Sequence, residues 1–269
     1  MRIAILGGGN MGTTYAKAFV RSSIVKTGDL LIIEKHPEKR KSLREEGVAD
    51  LKEEINESLS TYDILIVAVK PQDFKSLVPD LIKVIKPNQL IISIMAGITI
   101  STIQTLLKHD KIVRAMPNTP AQLGFGITAF TVCKDASLDQ ISIVDTLLET
   151  TGKAIFMKDE ELLDAVTALS GSGPAYYYYF VKHMIEAGKQ MGMEEPVAAM
   201  LVKQTMLGAF QIMSNSKDSL DDMIKAVASK GGTTEAALNS FEKSNVGQDI
   251  IEALKSAEKR AKELSRESA

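Results

Sequence analysis

The chain holds one cysteine, three histidines, no tryptophan and almost no net charge. A lone thiol, Cys133, closes no internal disulfide. With His36, His109 and His183 scattered, it builds no Cys/His metal site either, and no metal is expected. A formal net charge of −2 over 269 residues gives no electrostatic hold on nucleic acid or an anionic membrane. The apolar start, MRIAILGGG, is too short for a secretion signal, and no apolar run reaches the length of a membrane span. Low-complexity segments and long repeats are missing too. The expectation is a soluble, reduced, cytoplasmic protein with room for two domains.

What is present begins with short, continuous apolar runs at residues 2–6, 30–34, 62–69, 89–94 and 111–116. Such runs suit strands buried on both faces. Helical stretches separate them at 11–22, 37–46, 72–85 and 101–108, the second opened by Pro37 at a first-turn position and the last by a hydroxyl cap. Strand–helix repetition with short links predicts a parallel, doubly wound sheet. Two further strands, near 127–132 and 154–157, flank a helix that Ser137 caps and Gly152 closes. Past Asp159 the strand signal stops and six helical stretches follow. The reading is an α/β Rossmann-type domain over 1–159, then an all-α C-terminal domain over 160–269.

The first strand runs into LGGGNMG, which supplies Gly7-x-Gly9-x-x-Gly12 with Asn10 and Met11 between, at the opening of a helix. In that setting Gly7 makes the tight turn, Gly9 lets backbone approach a pyrophosphate, and Gly12 lets helix and strand pack closely. The alternative is a glycine-rich βα turn with no ligand. About twenty residues on, the second strand ends at Glu34, where an acid commonly takes the adenosine ribose and repels a 2′-phosphate. Lys35, His36, Lys39 and Arg40 follow and could neutralise that phosphate. NADPH and NADH both remain open. Ala68, Val69, Lys70 and Pro71, then Ala96 and Gly97, then Asn118 lie after successive strands, where the fold places its ligand crevice. For Asn118 a Pro-bracketed turn is the competing reading.

Within the helical half, ASKGGTTEAAL (residues 228–238) interrupts the helices with Gly231-Gly232-Thr233-Thr234. Glycines before a helix start free the backbone for close approach. The first N–H groups of a helix lack internal partners and carry the positive end of its dipole. Together they make an anion site with no charged side chain. The competing reading is a tight turn with Thr as N-cap.

The blocks GGGNMG, AVKP, MAGIT, RAMPNTPA, ALSGSGPAY and GGTTEAAL stand in this order, and together the chain resembles the pyrroline-5-carboxylate reductases. The resemblance covers nearly the whole chain. It implies reduction of the cyclic imine 1-pyrroline-5-carboxylate to L-proline with NADPH or NADH. It also implies a helical dimerisation domain, an active site shared between protomers, and dimers assembling further, often into decamers. One departure is Lys230, where the family usually has Pro within Ser-Pro-Gly-Gly-Thr; lysine loosens the turn and adds charge.

Two chemical demands follow from such a substrate. Its carboxylate must be held, and backbone N–H groups near Gly231, Gly232 and Thr233, with the hydroxyls of Ser229, Thr233 and Thr234, suit that task. Its nitrogen must carry a proton when hydride arrives, yet no His, Asp or Glu stands in the matching motifs as a general acid. Binding as an iminium, or proton delivery through Thr234 and a water, meets this second demand. In SGSGPAYYYYF (residues 170–180) Ser172 or Gly173 can cap a helix, and the tyrosine run sends at least two rings away from the domain core, with a subunit interface and ordinary core packing as the two readings. Two rivals remain. A β-hydroxyacid dehydrogenase would use a lysine four residues after Gly173, where Tyr177 stands. A non-catalytic NAD(P)-sensing protein would bind the dinucleotide without turnover.

Overall fold

The structure is a computed structural model and describes residues 1–267. Strands β1 (Ile3–Leu6), β2 (Leu30–Ile33), β3 (Asp50–Lys52), β4 (Ile64–Val67), β5 (Leu90–Ser93), β6 (Ile112–Met116), β7 (Gly126–Val132) and β8 (Gly152–Phe156) form one sheet. Its order is β3-β2-β1-β4-β5-β6-β7-β8. All neighbours run parallel except β6 and β7, which pair antiparallel. The interleaved helices are α1 (Asn10–Arg21), α2 (Pro37–Glu46), α3 (Pro71–Val84), α4 (Ile100–Leu107) and α5 (Leu138–Glu149).

The two-residue period of the strands splits the core in two. Ile3 and Ile5 point to one face with Tyr15 and Phe19 of α1, Leu43 of α2 and Leu147 of α5. Ala4 and Leu6 point to the other with Phe74 and Leu81 of α3 and Ile103 and Leu107 of α4. Helices therefore cover both faces, which is why the strands read as unbroken apolar runs. Strand β3 escaped that signal: it is a three-residue edge, Asp-Leu-Lys, only partly buried. Ser137 caps α5 in a capping box with Gln140. Gly152 does not close that helix. It opens β8 at φ 145, against the backbone of Gly126, where a side chain has no room.

The chain packs as two compact units, Met1–Gly173 with the last helix from Ala257 onward, and Pro174–Ser256. Helical structure begins near residue 160, as read above, but helix α6 (Leu162–Val166) stays with the sheet. An ion cluster holds it there. Buried Arg114 on β6 donates to Asp164 at 2.8 Å and to Glu160 at 3.2 Å. Ser265, near the end of the chain, donates to the same Asp164 oxygen at 3.1 Å.

The second unit contains α7 (Gly173–Gln190) from Pro174, α8 (Glu195–Asn215), α9 (Leu220–Val227), α10 (Thr233–Lys243) and the first part of α11 (Val246–Glu267). Ser172 does not cap α7. A π-helical turn, Thr167–Gly171, runs on from α6, and Ser172 N–H reaches back to the Thr167 carbonyl at 2.9 Å. One correction concerns α8. By length and composition it could cross a membrane, with 21 residues and a hydropathy of 1.2. Lys203, Gln204 and Gln211 interrupt its apolar residues, so no continuous run announces it.

Candidate functional site

The glycine loop is built as its sequence requires. Gly7 takes φ 106, and a Cβ there would stand 2.8 Å from the Ala68 carbonyl oxygen and 3.1 Å from Val69 Cγ1. The loop after β4 thus lies directly against Gly7. Gly12 presses on the Gly7 carbonyl, so the first turn of α1 packs close to β1. Gly9 is the N-cap of α1, with no side-chain cap and no acidic residue in the first turn. A Cβ on Gly9 would meet nothing within 4 Å. Among the described residues no hydrogen bond caps the N–H groups of Asn10 and Met11, the arrangement expected of a pyrophosphate site. Asn10 is exposed, while Met11 packs partly onto the core.

Glu34 is buried, and both its oxygens are engaged. Gly8 N–H donates to Oε2 at 2.9 Å and His36 N–H to Oε1 at 2.8 Å. The carboxylate therefore latches the glycine loop to the segment after β2. Lys35 is exposed and leans 3.5 Å from Asp73 of α3. Lys70 is the exposed N-cap of α3 and Pro71 its first residue.

Other residues named from sequence carry visible structural duties. Gly97 has φ 69, and a Cβ there would lie 2.9 Å from Leu264 Cβ, so glycine admits the end of α11. Ala96 beside it is half-buried. Asn118 is the N-cap of a 3-10 turn, Thr119–Leu123, and its carbonyl accepts from Ala121 N–H, but its side chain caps no N–H of that turn. Its Oδ1 accepts from Ile127 N–H at 3.0 Å and its Nδ2 donates to Ser170 Oγ at 3.3 Å, tying β6, β7 and the π turn together. Gly171 in that turn meets Met116, with its Cβ position 2.6 Å from Met116 Cε. Sequence reasoning missed the π turn, a feature frequent at functional sites; the run Ser170-Gly171-Ser172-Gly173, which overlaps its end, was its only signal.

At the start of α10 the picture differs from expectation. Gly232, not a threonine, is the N-cap, and Gly231 takes φ 75. The Gly231 N–H donates to Glu235 Oε2 at 2.7 Å, and the Gly232 N–H to the Ser229 carbonyl at 3.0 Å. Two of the amides expected for an anion are thus taken, one by a carboxylate of the same helix. The N–H groups of Thr233 and Thr234, with the hydroxyls of Ser229, Thr233 and Thr234, make no hydrogen bond among the described residues.

Fold and glycine loop define a dinucleotide-dependent oxidoreductase, a Rossmann-type unit followed by a helical one. Residues 2–97 match the family described as NADP oxidoreductase, coenzyme F420-dependent, and residues 160–264 match pyrroline-5-carboxylate reductase dimerisation. The chain is 35% identical to pyrroline-5-carboxylate reductase of Pseudomonas aeruginosa over 98% of this chain and 97% of that one. It is 34% identical to pyrroline-5-carboxylate reductase 2 of Bacillus subtilis, over 98% and 95%. The solved pyrroline-5-carboxylate reductase of Coxiella burnetii superposes with a TM-score of 0.88 at 30% identity, covering 98% of each chain. That of Plasmodium falciparum, with NADP bound, gives 0.88 at 25% identity over the same shares. The chain belongs to the pyrroline-5-carboxylate reductase family, and its helical unit is a dimerisation domain.

Proposed function

We propose that this chain reduces 1-pyrroline-5-carboxylate to L-proline, with the glycine loop holding the dinucleotide and the start of α10 holding the substrate carboxylate. The observation that carries the reading is the opening of α10: two uncommitted amides and three uncommitted hydroxyls at the positive end of a helix. Thr233 and Thr234 N–H, helped by the Ser229 and Thr233 hydroxyls, hold the substrate carboxylate. Gly231 and Gly232 shape the turn that presents them, and the Gly231 amide joins in when Glu235 releases it. The nicotinamide dinucleotide, held by Gly7, Gly9, Asn10, Met11 and Gly12 with Glu34, Lys35, residues 68–71, Ala96, Gly97 and Asn118 around it, supplies hydride when bound.

Thr234 and a water relay a proton from solvent to the imine nitrogen, because neither a hydroxyl nor a water is acidic enough to give up its own proton at neutral pH. Substrate that arrives as an iminium needs no such delivery. Orientation in a dry pocket then contributes most of the rate, a class of effect worth roughly 7–11 kcal/mol. Lys230 in the family's proline position loosens the turn without removing its amides. Dimers assemble further, to a decamer in this proposal, and the enzyme works in the cytoplasm, in keeping with its single free thiol.

The test is consumption of NADH and of NADPH with 1-pyrroline-5-carboxylate, wild type against Thr234→Val. The expected result is turnover that depends on the imine and falls at least ~100-fold in the variant, in the range of general acid–base contributions. Oxidation of a hydroxyacid instead would move the chain to the β-hydroxyacid dehydrogenases, although Tyr177 stands where their lysine belongs. Dinucleotide binding without any turnover would make it a sensor. Wild-type turnover and wild-type affinity for proline-like inhibitors in Thr234→Val would remove that residue from the mechanism.

A further inference from the structure

We infer that this chain selects the dinucleotide that lacks a 2′-phosphate, through Glu34 directly and through Glu53 acting on Arg40. The inference rests on the dinucleotide site alone and is independent of which imine is reduced.

In this fold the adenosine ribose lies at the carboxyl end of the second strand, where Glu34 stands. A carboxylate at that place discriminates only if it cannot turn away, and here it cannot. Gly8 N–H and His36 N–H hold one oxygen each, at 2.9 and 2.8 Å. The loop lies so close that a Cβ on Gly8 would stand 2.6 Å from Leu43 Cδ1 and 3.2 Å from Glu34 Cβ. Each oxygen keeps a second acceptor direction, which suits a ribose hydroxyl. A phosphate offers only acceptors and negative charge, and meets repulsion instead.

The basic residues after Glu34 could cancel that repulsion, and the structure shows what each is doing. Arg40 carries the one guanidinium among them, the group best shaped to take a phosphate in a fixed fork. Its fork is already engaged. One nitrogen donates to the Glu34 carbonyl at 2.8 Å, and the other to Glu53 Oε2 at 2.7 Å. The Arg40 side chain is 14% exposed, drawn down along the segment after β2. Glu53, just past β3, lies outside the glycine loop, and its effect on the cofactor passes through Arg40. Lys35 is exposed and pairs with Asp73. His36 and Lys39 are exposed, and neither offers the two-pronged fork of a guanidinium.

The experiment titrates the purified full-length protein with NADH and NADPH at fixed ionic strength and without substrate, following nicotinamide fluorescence. Wild type is expected to bind NADH at least ~10-fold tighter than NADPH, since like charges set side by side discriminate strongly. Glu53→Gln removes the charge that holds one arm of Arg40 and is expected to tighten NADPH about 5-fold while leaving NADH unchanged, the size of one exposed charge-assisted bond. Arg40→Met in that background should remove the gain. Equal or tighter binding of NADPH by wild type overturns the inference. Glu53→Gln shifting both dinucleotides alike overturns the part assigned to Glu53. Because no imine enters the titration, these outcomes are separate from any failure of the proposed reaction.

Discussion

The two units bury their residues in opposite ways. In the sheet unit every residue of β1, β2, β4 and β5 is buried, and two apolar clusters fill the faces of the sheet. Between Pro174 and Ser256, Ala198 is the one described residue that is fully buried. Tyr177, Tyr178, Met200, Leu207, Phe210, Ile212 and Val227 each leave half or more of their surface open in the single chain. A set of helices with no core of its own cannot offset the entropy of ordering it. Another copy covering these side chains is one source of the missing burial, and it would tie the stability of that unit to association. Apolar exposure on this scale is the surface of a partnered domain, in keeping with a dimerisation family. Tyr177, Tyr178 and Tyr179 are exposed, so these rings do not pack in the core of the single chain.

The hardest blow to that contrast is a charged pair placed in the helical unit. Leu207→Asp with Phe210→Asp removes two large apolar side chains from the face and adds two carboxylates. Association should weaken by about 6 kcal/mol, from roughly 1.5–3 kcal/mol per lost side chain plus the cost of the charges. Light scattering after gel filtration should show monomers, and far-UV circular dichroism a loss of helix. Dinucleotide binding by the sheet unit should survive. An assembly that kept its mass and melting temperature would show that this face is not what holds copies together.

Next in size is the buried cluster of the sheet unit. Arg114→Met leaves Asp164 and Glu160 without their cation, although Ser265 and the Ile100 amide still donate to them. Orphaning the buried Asp164 carboxylate costs about 3–5 kcal/mol, and the loss should appear in the melting of the sheet unit. The end of α11, which Ser265 pins to Asp164, should become open to proteolysis near Lys262. Arg260→Gln, which breaks an exposed pairing with Glu263 and Glu267 on the same helix, is the control and should leave the melting temperature unchanged. Equal effects from the two arginines would erase the distinction between a buried hub and a solvated pair.

The same contrast governs how much was legible in the sequence. Strands buried on both faces announced themselves as apolar runs, and the glycine loop announced its turn, because in both cases local chemistry sets the structure. Strand β3 did not, since three residues at an edge carry no periodicity. Neither did the π turn after α6, where Gly171 comes close against Met116. Side-chain partners were hidden for the same cause. Glu34 could be nominated, but its latch to Gly8 depends on the register of β1 against β2, and the Arg40–Glu53 pair on where β3 falls. At α10 the motif showed the glycines, while Glu235 turning back to Gly231 could be known only from the folded helix.

A finer probe of the self-contained core is Tyr15, whose hydroxyl bonds to Thr128 at 3.0 Å across the sheet unit. Burial pushes its pKa up to about 12, against 10.0 for the free phenol, with the hydrogen bonds to Thr128 and Thr151 pulling weakly the other way. The native state therefore keeps the proton where the unfolded chain has lost it. Stability from this group is complete below about pH 10 and falls by about 1.4 kcal/mol per unit until about pH 12, some 2–3 kcal/mol in all. Tyr15→Phe gives up the hydrogen bond, about 1 kcal/mol at neutral pH, but has no phenol to ionise. Urea midpoints measured from pH 8 to 12 should cross, with wild type the more stable at pH 8 and the variant at pH 12. Tyr62, also raised by burial, is present in both proteins and cancels in the difference. Parallel curves would mean that water reaches the Tyr15 hydroxyl, and that the sheet unit is less closed than its packing indicates.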